Sequence, residues 1–208
     1  MYSARELALK RVLDITAAAA GLAATAPLLA LIAVVVRRSS PGPALFRQTR
    51  VGKGGKAFQM LKFRTMSVAT TPDAGPQVTA GGDPRITPIG RMLRKTKLDE
   101  LPELVNVLRG EMSLVGPRPE VPKYVAHYSD ADKAAVHRVR PGLTDPATVR
   151  FRSEEEILGR ASDPERAYVD DVLPTKIQMY KDYLDGASFV GDLRILGETI
   201  RVVLVPRE

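Results

Sequence analysis

Two adjacent carboxylates, Asp99 and Glu100, lie in a part of the sequence that is otherwise basic, RMLRKTKLDE. A carboxylate can attack phosphorus as a nucleophile, and a neighbouring carboxylate can bind Mg²⁺, which prefers carboxylate and phosphate oxygens. The pair is therefore consistent with metal-assisted phosphoryl transfer, with both residues as catalytic and Mg²⁺-binding candidates. A structural alternative is also open, in which Asp99 caps a helix and Glu103 and Lys97 are ordinary surface partners.

Several cations lie near this pair in the sequence and could bind the phosphates of a substrate. The candidates include Lys62 and Arg64 in the motif KFRT, Arg94, and Arg118 between two prolines. Arginine forms bidentate contacts with phosphate oxygens, and the flanking prolines restrict the backbone of Arg118 to extended conformations. Such a group could bind a diphosphate and neutralise the charge that develops on a leaving phosphate.

The charge of the 208-residue chain is unevenly distributed. The net charge is +7, and residues 1–110 hold 17 Lys or Arg against 7 Asp or Glu. A basic half of this kind predicts an anionic partner, which could be nucleic acid, acidic lipid or a phosphorylated substrate. Nucleic acid is the weakest choice, because the aromatic residues do not interleave with the basic ones as base stacking requires. The absence of cysteine excludes a thiol nucleophile and a Cys-based metal site.

A long apolar segment precedes these motifs. Ile15 to Val36 carries no charge over 22 residues, and as a helix it would measure roughly 33 Å, close to the thickness of a bilayer core. Pro27 interrupts it, and basic residues flank both of its ends, so charge gives no direction of insertion. The residues alone leave a spanning helix and a re-entrant helix that breaks at Ala26-Pro27 evenly matched, with a buried core helix as a third option.

The sequence after this segment predicts a β-hairpin. Two strand-like runs, LFRQTRV and AFQMLKF, flank the glycine-rich residues 52–55. A phosphate-binding loop is the alternative for GKGGK, but Lys56 is followed by Ala57 where that motif needs Ser or Thr. We therefore predict a turn at residues 52–55, and a loop over the Thr-, Pro- and Gly-rich residues 68–83.

The remaining pattern predicts a mostly helical α+β fold. Apolar residues recur at helical spacing over residues 89–109, 124–138, 154–158, 170–185 and 193–205. Pro102 lies inside the first of these runs, so we expect its helix to begin near residues 98–102, with Asp99 and Glu100 at its N-terminus. The helix dipole there would keep Asp99 ionised. The amphipathic helices, above all the last, are suited to the membrane interface.

These motifs together resemble the bacterial sugar transferase family, the small monotopic phosphoglycosyl transferases. The stretches that carry the resemblance are KRVLDI, LFRQTRVGKGGKAFQMLKFRTM, DPRITPIGRMLRKTKLDELPELVNVLRGEMSLVGPRP, RPGLT and SFVGDLRIL. They follow the family's order from about residue 10 to about residue 204. The resemblance favours a re-entrant helix over residues 1–38 and a cytosolic, membrane-associated catalytic domain over residues 39–208.

The resemblance implies an enzyme of the bacterial inner membrane whose catalytic domain faces the cytosol. It would transfer a sugar-1-phosphate from a UDP-sugar to polyprenyl (undecaprenyl) phosphate and release UMP through a covalent aspartyl intermediate, with Mg²⁺ as cofactor. Such a step initiates surface glycan assembly. Inner-membrane lipids are expected partners, a homodimer is compatible with the resemblance, and nucleic acid is not expected.

The resemblance also assigns roles to individual residues. Asp99 would be the nucleophile and Glu100 its acidic partner. The residues expected to bind phosphate are Lys62, Arg64, Arg94 and Arg118, and those expected to support the site are Asp192, Pro141 and Gly142. The helix would break at Ala26 and Pro27.

Three departures from the family pattern concern the membrane helix and the substrate pocket. The helix break reads Ala26-Pro27 instead of Ser-Pro, so Thr25 would have to supply any hydroxyl; Val190 replaces a common aromatic residue. Residues 144–158 read TDPATVRFRSEEEIL where many members have TGWAQVNGRN, so the sugar is not predicted. The 208-residue sequence shows no counterpart of the additional N-terminal membrane helices of larger members, so we expect it to resemble the small form.

A rival function from another class is a non-enzymatic, basic module that binds anionic membrane lipid. It would explain the charge and the apolar segment. It has no use for a carboxylate pair beside a Pro-Arg-Pro motif, so we favour the enzyme.

Overall fold

A computed structural model describes residues 2–67, 79, 82–151 and 154–204 of the chain. The N-terminal helix α1, Ala4–Ser39, is 36 residues long and begins with a capping box between Ser3 and Glu6. It is long and apolar enough to cross a membrane, and only 11% of its most apolar window is buried. The option of a buried core helix is therefore wrong.

Pro27 lies inside α1, and the helix continues through it, so the expected interruption at Ala26-Pro27 is not seen. The hydroxyl of Thr25 donates to the carbonyl of Gly21, four residues before it, at 2.7 Å. A Thr in a helix commonly bonds the carbonyl four residues before it. A proline inside a helix removes one backbone hydrogen bond and bends the axis, so α1 can change direction at Pro27 without ending there.

The predicted β-hairpin is confirmed. Strands β1, Leu45–Val51, and β2, Ala57–Phe63, pair antiparallel, with Gln48 opposite Met60. The turn between them contains Gly54 and Gly55, whose φ angles of 68° and 73° lie in the left-handed region that favours glycine.

The expected helix over residues 89–109 is in fact two helices separated by a tight turn. Helix α2, Pro88–Thr96, ends at Lys97, which has a φ of 58°. A 3₁₀ turn, Leu98–Glu100, follows, and helix α3 covers Glu103–Arg109. Pro102 occupies the N-cap position of α3 because it lacks the N–H that a continuous helix would need there. The prediction that the acidic pair precedes a helix start is thus confirmed for α3.

A second, parallel sheet was not predicted. Strands β3, Ser113–Val115, and β4, Gly142–Thr144, pair next to the Pro-Arg-Pro motif. A Cβ on Gly142 would lie 2.1 Å from the backbone nitrogen of Gly116, so this contact requires glycine. Strands of three residues are too short to show periodicity in the sequence.

The rest of the described chain is helical, and it differs from prediction mainly at helix boundaries. The run over residues 124–138 forms two helices, α4, Pro122–Val125, and α5, Asp130–Val136, because Ser129 caps the second one. The other elements are α6, Pro146–Arg150, α7, Glu154–Gly159, α8, Pro164–Ala167, a π-helical turn, Tyr168–Val172, α9, Leu173–Asp185, and α10, Phe189–Leu204. The predicted loop over residues 68–83 lies largely outside the described residues.

Both halves of α1 pack against the folded part of the chain that follows it. Ala18, in the first half, is buried in a cluster with Met60 and Val107. Val36, near its end, is buried with Phe63 in another cluster. The residues between these contacts are mostly exposed, including Pro27.

Candidate active site

The acidic pair is positioned by the sharp junction between α2 and α3. Lys97 adopts a left-handed conformation that is uncommon for a residue with a side chain, and this conformation starts the turn that carries Asp99 and Glu100. Strained backbone of this kind clusters at functional sites.

Glu100 forms ion pairs with two of the predicted phosphate-binding cations. Its Oε1 accepts from Lys62 Nζ at 2.8 Å and from Arg118 Nη2 at 2.5 Å. Burial works against ionisation, but the charges of Arg118 and Lys62 outweigh it and hold the pKa of Glu100 well below its usual range. Glu100 is therefore an ionised carboxylate that holds these two cations together.

Glu103 is a third carboxylate of the site, which the sequence reasoning missed. It is 0% exposed, so it is not the surface partner of the structural alternative. Its Oε1 lies 3.4 Å from both Lys62 Nζ and Arg118 Nη2. Burial raises the pKa of Glu103, which therefore shares these cations as the weaker partner. The sequence did contain one signal: Glu103 lies three residues after Glu100, and residues at this spacing are neighbours on a helical turn.

Asp99 is buried beside Glu100, and no cation among the described residues forms an ion pair with it. It is 6% exposed, and within the described residues its Oδ1 has no hydrogen-bond partner. Burial, followed by the charge of Glu100, raises the pKa of Asp99. Desolvation therefore outweighs the helix dipole, which was expected to favour the ionised form, and the pKa of Asp99 shifts in the opposite direction from the expected one. The N-cap alternative is also wrong, since Pro102 holds that position.

A cavity of about 220 Å³ opens beside the acidic pair. The cations in its wall are Arg50, Lys62, Arg94, Lys97, Arg118 and Lys176, and the carboxylates are Glu100, Glu120, Glu154 and Glu155. Phe151 and three tyrosines add aromatic surface. Asp99 lies next to this described wall and is not part of it. The cavity thus brings together three of the four predicted phosphate-binding residues with Glu100.

Arg94 reaches the cavity from α2. Its Nε and Nη2 donate to Glu155 Oε1 at 3.0 and 2.5 Å, and its Nη1 donates to Thr65 Oγ1 at 3.3 Å. Its position was predicted from the sequence, whereas the wall residues Glu155 and Lys176 were not.

The structure does not bring Arg64 to this cavity. Its guanidinium donates to the carbonyls of Val36 at 3.1 Å and Ser40 at 2.8 Å, and also to that of Pro41. The last carbonyls of a helix lack partners within the helix, so Arg64 satisfies the end of α1 and lies away from this cavity.

The three supporting residues predicted from the sequence lie behind the site. The buried carboxylate of Asp192 accepts from Tyr2 at 2.7 Å, Tyr183 at 2.8 Å and Lys10 at 2.5 Å, which joins α10 to α1. Pro141 and Gly142 lead into β4, against the strand that precedes Arg118. The carbonyl of the next residue, Leu143, accepts from Arg118 Nη1 at 2.8 Å. These residues position the site and do not line its described wall.

The donor set can be compared with the needs of Mg²⁺. Among the described residues, no group of three or more His, Asp or Glu could hold a metal ion. Mg²⁺ is usually bound by one or two carboxylates together with substrate phosphates and water. The two carboxylates of Asp99 and the adjacent Glu100 fit that limited requirement, and one oxygen of Asp99 can bind the metal while the other stays available.

Comparison with known proteins gives a consistent result. The model of a family described as bacterial sugar transferase matches residues 5–206. A UDP-glucose:undecaprenyl-phosphate glucose-1-phosphate transferase of Caulobacter vibrioides is 44% identical over 94% of this chain and 69% of the relative. A UDP-N-acetylgalactosamine-undecaprenyl-phosphate N-acetylgalactosaminephosphotransferase of Aeromonas hydrophila is 38% identical over 94% and 44%. The exopolysaccharide production protein PSS of Rhizobium leguminosarum bv. phaseoli is 37% identical, with 94% of both chains covered.

Proposed function

The chain belongs to the bacterial sugar transferase family, and we propose that it transfers a sugar-1-phosphate from a UDP-sugar to undecaprenyl phosphate and releases UMP. The names of its relatives support this reaction class, since two of them are transferases of glucose and N-acetylgalactosamine phosphate to that acceptor. The product would be the first membrane-bound intermediate of a surface glycan. The observation that carries the proposal is the acidic pair beside a cavity whose described wall contains six cations.

The side chains suit a two-step phosphoryl transfer. In the first step an oxygen of Asp99 attacks the phosphorus attached to the sugar, and the bond to the UMP oxygen breaks, so UMP leaves with the electron pair. In the second step an oxygen of the acceptor phosphate attacks the same phosphorus and releases Asp99. Lys62, Arg94 and Arg118 would stabilise the negative charge that develops in both steps.

The surroundings of Asp99 support its role as nucleophile. Its Oδ1 is desolvated and lacks a partner among the described residues, so a lone pair is available. Because Asp99 is 6% exposed, its side chain must become more accessible when the substrate binds. Asp99 and Glu100 would hold Mg²⁺, which when bound supplies positive charge to the phosphate oxygens.

UMP release tests the proposal directly. Purified protein is incubated with Mg²⁺, undecaprenyl phosphate and a panel of UDP-sugars; the panel also identifies the sugar. We expect turnover by the wild type and by Asp130→Asn, an exposed carboxylate on α5, and loss of turnover by Asp99→Asn. Normal turnover by Asp99→Asn would show that the nucleophile is another residue. Vesicle binding without UMP release from any UDP-sugar would favour the rival lipid-binding module.

For the membrane helix we propose a re-entrant arrangement at the cytosolic face of the inner membrane. Arg11 donates to the carbonyls of Val107 at 2.8 Å and Leu108 at 3.0 Å, so the start of α1 is fixed to α3. The end of α1 is fixed to the same body by Arg64. A helix whose two ends contact one body on one side of the bilayer has to return to that side.

Helix α10 would lie at the membrane interface next to α1. Val190, Leu193 and Ile200 are exposed and recur at helical spacing on it. Cysteines introduced near Tyr2 and near Gly52, at the exposed positions Ala4 and Lys53, test the arrangement with a membrane-impermeant label in oriented vesicles. Both are expected to react from the cytosolic side, and labelling from opposite sides would establish a spanning helix. A homodimer stays a prediction.

A further inference from the structure

The carboxylates in the cavity wall are bound to its cations. Glu100 binds Lys62 and Arg118, Glu120 binds Arg50, Glu154 binds Lys176 and Glu155 binds Arg94. A diphosphate that binds to one of these five cations must therefore compete with the carboxylate that the cation already holds. The ease of that exchange depends on how firmly each carboxylate is held.

The four carboxylates differ in exposure and in their other contacts. Their side chains are 19% (Glu100), 14% (Glu120), 26% (Glu154) and 44% (Glu155) exposed. Glu120 also accepts from Tyr168 and from its neighbouring backbone N–H, whereas the hydrogen bonds of Glu155 in the described chain go to Arg94 alone. Partly exposed ion pairs are weak because water solvates the separated charges well. Glu155 is therefore the carboxylate that is displaced at the lowest cost.

Arg94 is suited to exchange one anion for another. Its Nη1 stays attached to Thr65 Oγ1 at 3.3 Å, which would keep the guanidinium in the wall after Glu155 leaves. The two nitrogens that now donate to Glu155 present a fork that matches a phosphate as well as a carboxylate. Glu155 thus occupies the position of a substrate phosphate oxygen.

We infer that Glu155 is an internal competitor for the diphosphate of the substrate at Arg94, and that it sets the affinity of the cavity for the nucleotide. The inference rests on the proposed use of a nucleoside diphosphate sugar. Glu155 lies in residues 144–158, which differ from the usual family sequence, so this difference would affect the affinity for the substrate. The alternative role makes the opposite prediction: if Glu155 served to position Arg94, its removal would weaken diphosphate binding.

Calorimetric titration of the full-length protein with UDP and with inorganic diphosphate decides between these roles. We expect Glu155→Gln to lower the Kd of both by about two- to fivefold, the gain that follows when a partly exposed ion pair no longer competes. Glu156→Gln, the next carboxylate of α7 and an exposed one, is the matched control and should leave both Kd values unchanged. In an Arg94→Gln background the gain from Glu155→Gln should disappear.

An unchanged or higher Kd for Glu155→Gln would overturn the inference. Glu155→Ala, which also removes the side-chain bulk, should agree with Glu155→Gln in sign, and circular dichroism checks that both variants are folded. The result is separable from the proposed function because binding needs no turnover. UDP-sugar turnover without tighter binding by the variant would refute the competitor alone, whereas tighter diphosphate binding without turnover of any UDP-sugar would refute the reaction alone.

Discussion

Asp99→Asn should stabilise the folded chain while it abolishes activity. The carboxylate is 6% exposed, and its Oδ1 lacks a partner in the described part of the chain. A buried polar atom without a hydrogen-bond partner typically lowers the free energy of unfolding by about 1–3 kcal/mol. Asparagine has nearly the same shape, removes the charge and ends the repulsion by Glu100. Because its amide is still partly unsatisfied, we expect a gain of about 1 kcal/mol in the free energy of unfolding, or roughly 2–4 °C in Tm for a chain of this size.

The pH dependence of this gain follows from the raised pKa of Asp99. In the window above about pH 4, the ordinary pKa of an unfolded aspartate, the unfolded chain has lost a proton that the folded chain retains. The wild type therefore loses stability as the pH rises from there through the folded-state pKa of Asp99, and Asp99→Asn does not. The difference between the two should vanish near pH 4 and be largest above that folded-state pKa.

Thermal unfolding in detergent micelles, followed by circular dichroism from pH 4 to 8, measures the stability difference. UMP release on the same preparations should show a loss of about 10³-fold or more, as for removal of a nucleophile. A Tm of Asp99→Asn that is equal to or lower than that of the wild type at pH 7.5 would refute the argument from burial. A pH-independent gain would refute its electrostatic part.

Two further variants test the packing around the site. Arg64→Ala should lower the free energy of unfolding by about 3 kcal/mol, because it leaves carbonyls at the end of α1 without their charged donor. The KM for the UDP-sugar should stay within twofold of the wild-type value. A tenfold rise in KM would show that Arg64 does bind the substrate phosphates. Gly142→Ala should lower the free energy of unfolding by more than about 3 kcal/mol or prevent folding, because its Cβ would lie 2.1 Å from the backbone of Gly116. Gly197→Ala in α10 is the control, since a Cβ there would meet open space, and it should be neutral or slightly stabilising. Chemical unfolding measures both variants.

Local patterns predicted the elements that carry the site, and tertiary packing decided which side chains reach it. The hairpin and the apolar helix follow from runs of suitable residues, and Pro102 marks the helix start behind the acidic pair. Lys62 and Arg64, two residues apart, would share a face if β2 continued. The strand ends at Phe63, so Arg64 turns to the end of α1 while Lys62 stays at the cavity. No local signal in the sequence shows where a strand of this kind ends.

The burial of Glu103 could not be predicted for a related reason. Its cations come from β2 and from the segment after β3, so its environment exists only after these distant parts of the chain have met. On a surface helix the same residue would be a solvated partner of Lys97. The positive φ of Lys97 is likewise a product of packing, because a lysine has no intrinsic preference for that conformation.

The different surroundings of the two adjacent carboxylates support a division of labour between them. A nucleophile needs an oxygen whose lone pair is not already shared with a cationic side chain of the protein, and Glu100 Oε1 is shared with both Lys62 and Arg118. Attack by that oxygen would have to break two charge-assisted hydrogen bonds before a bond to phosphorus could form. Asp99 Oδ1 has no such bonds among the described residues, and desolvation raises the energy of its ionised form. Because bond formation to phosphorus relieves that penalty, the buried, unpaired carboxylate is the better nucleophile, and the paired one is better suited to organise the cations around it.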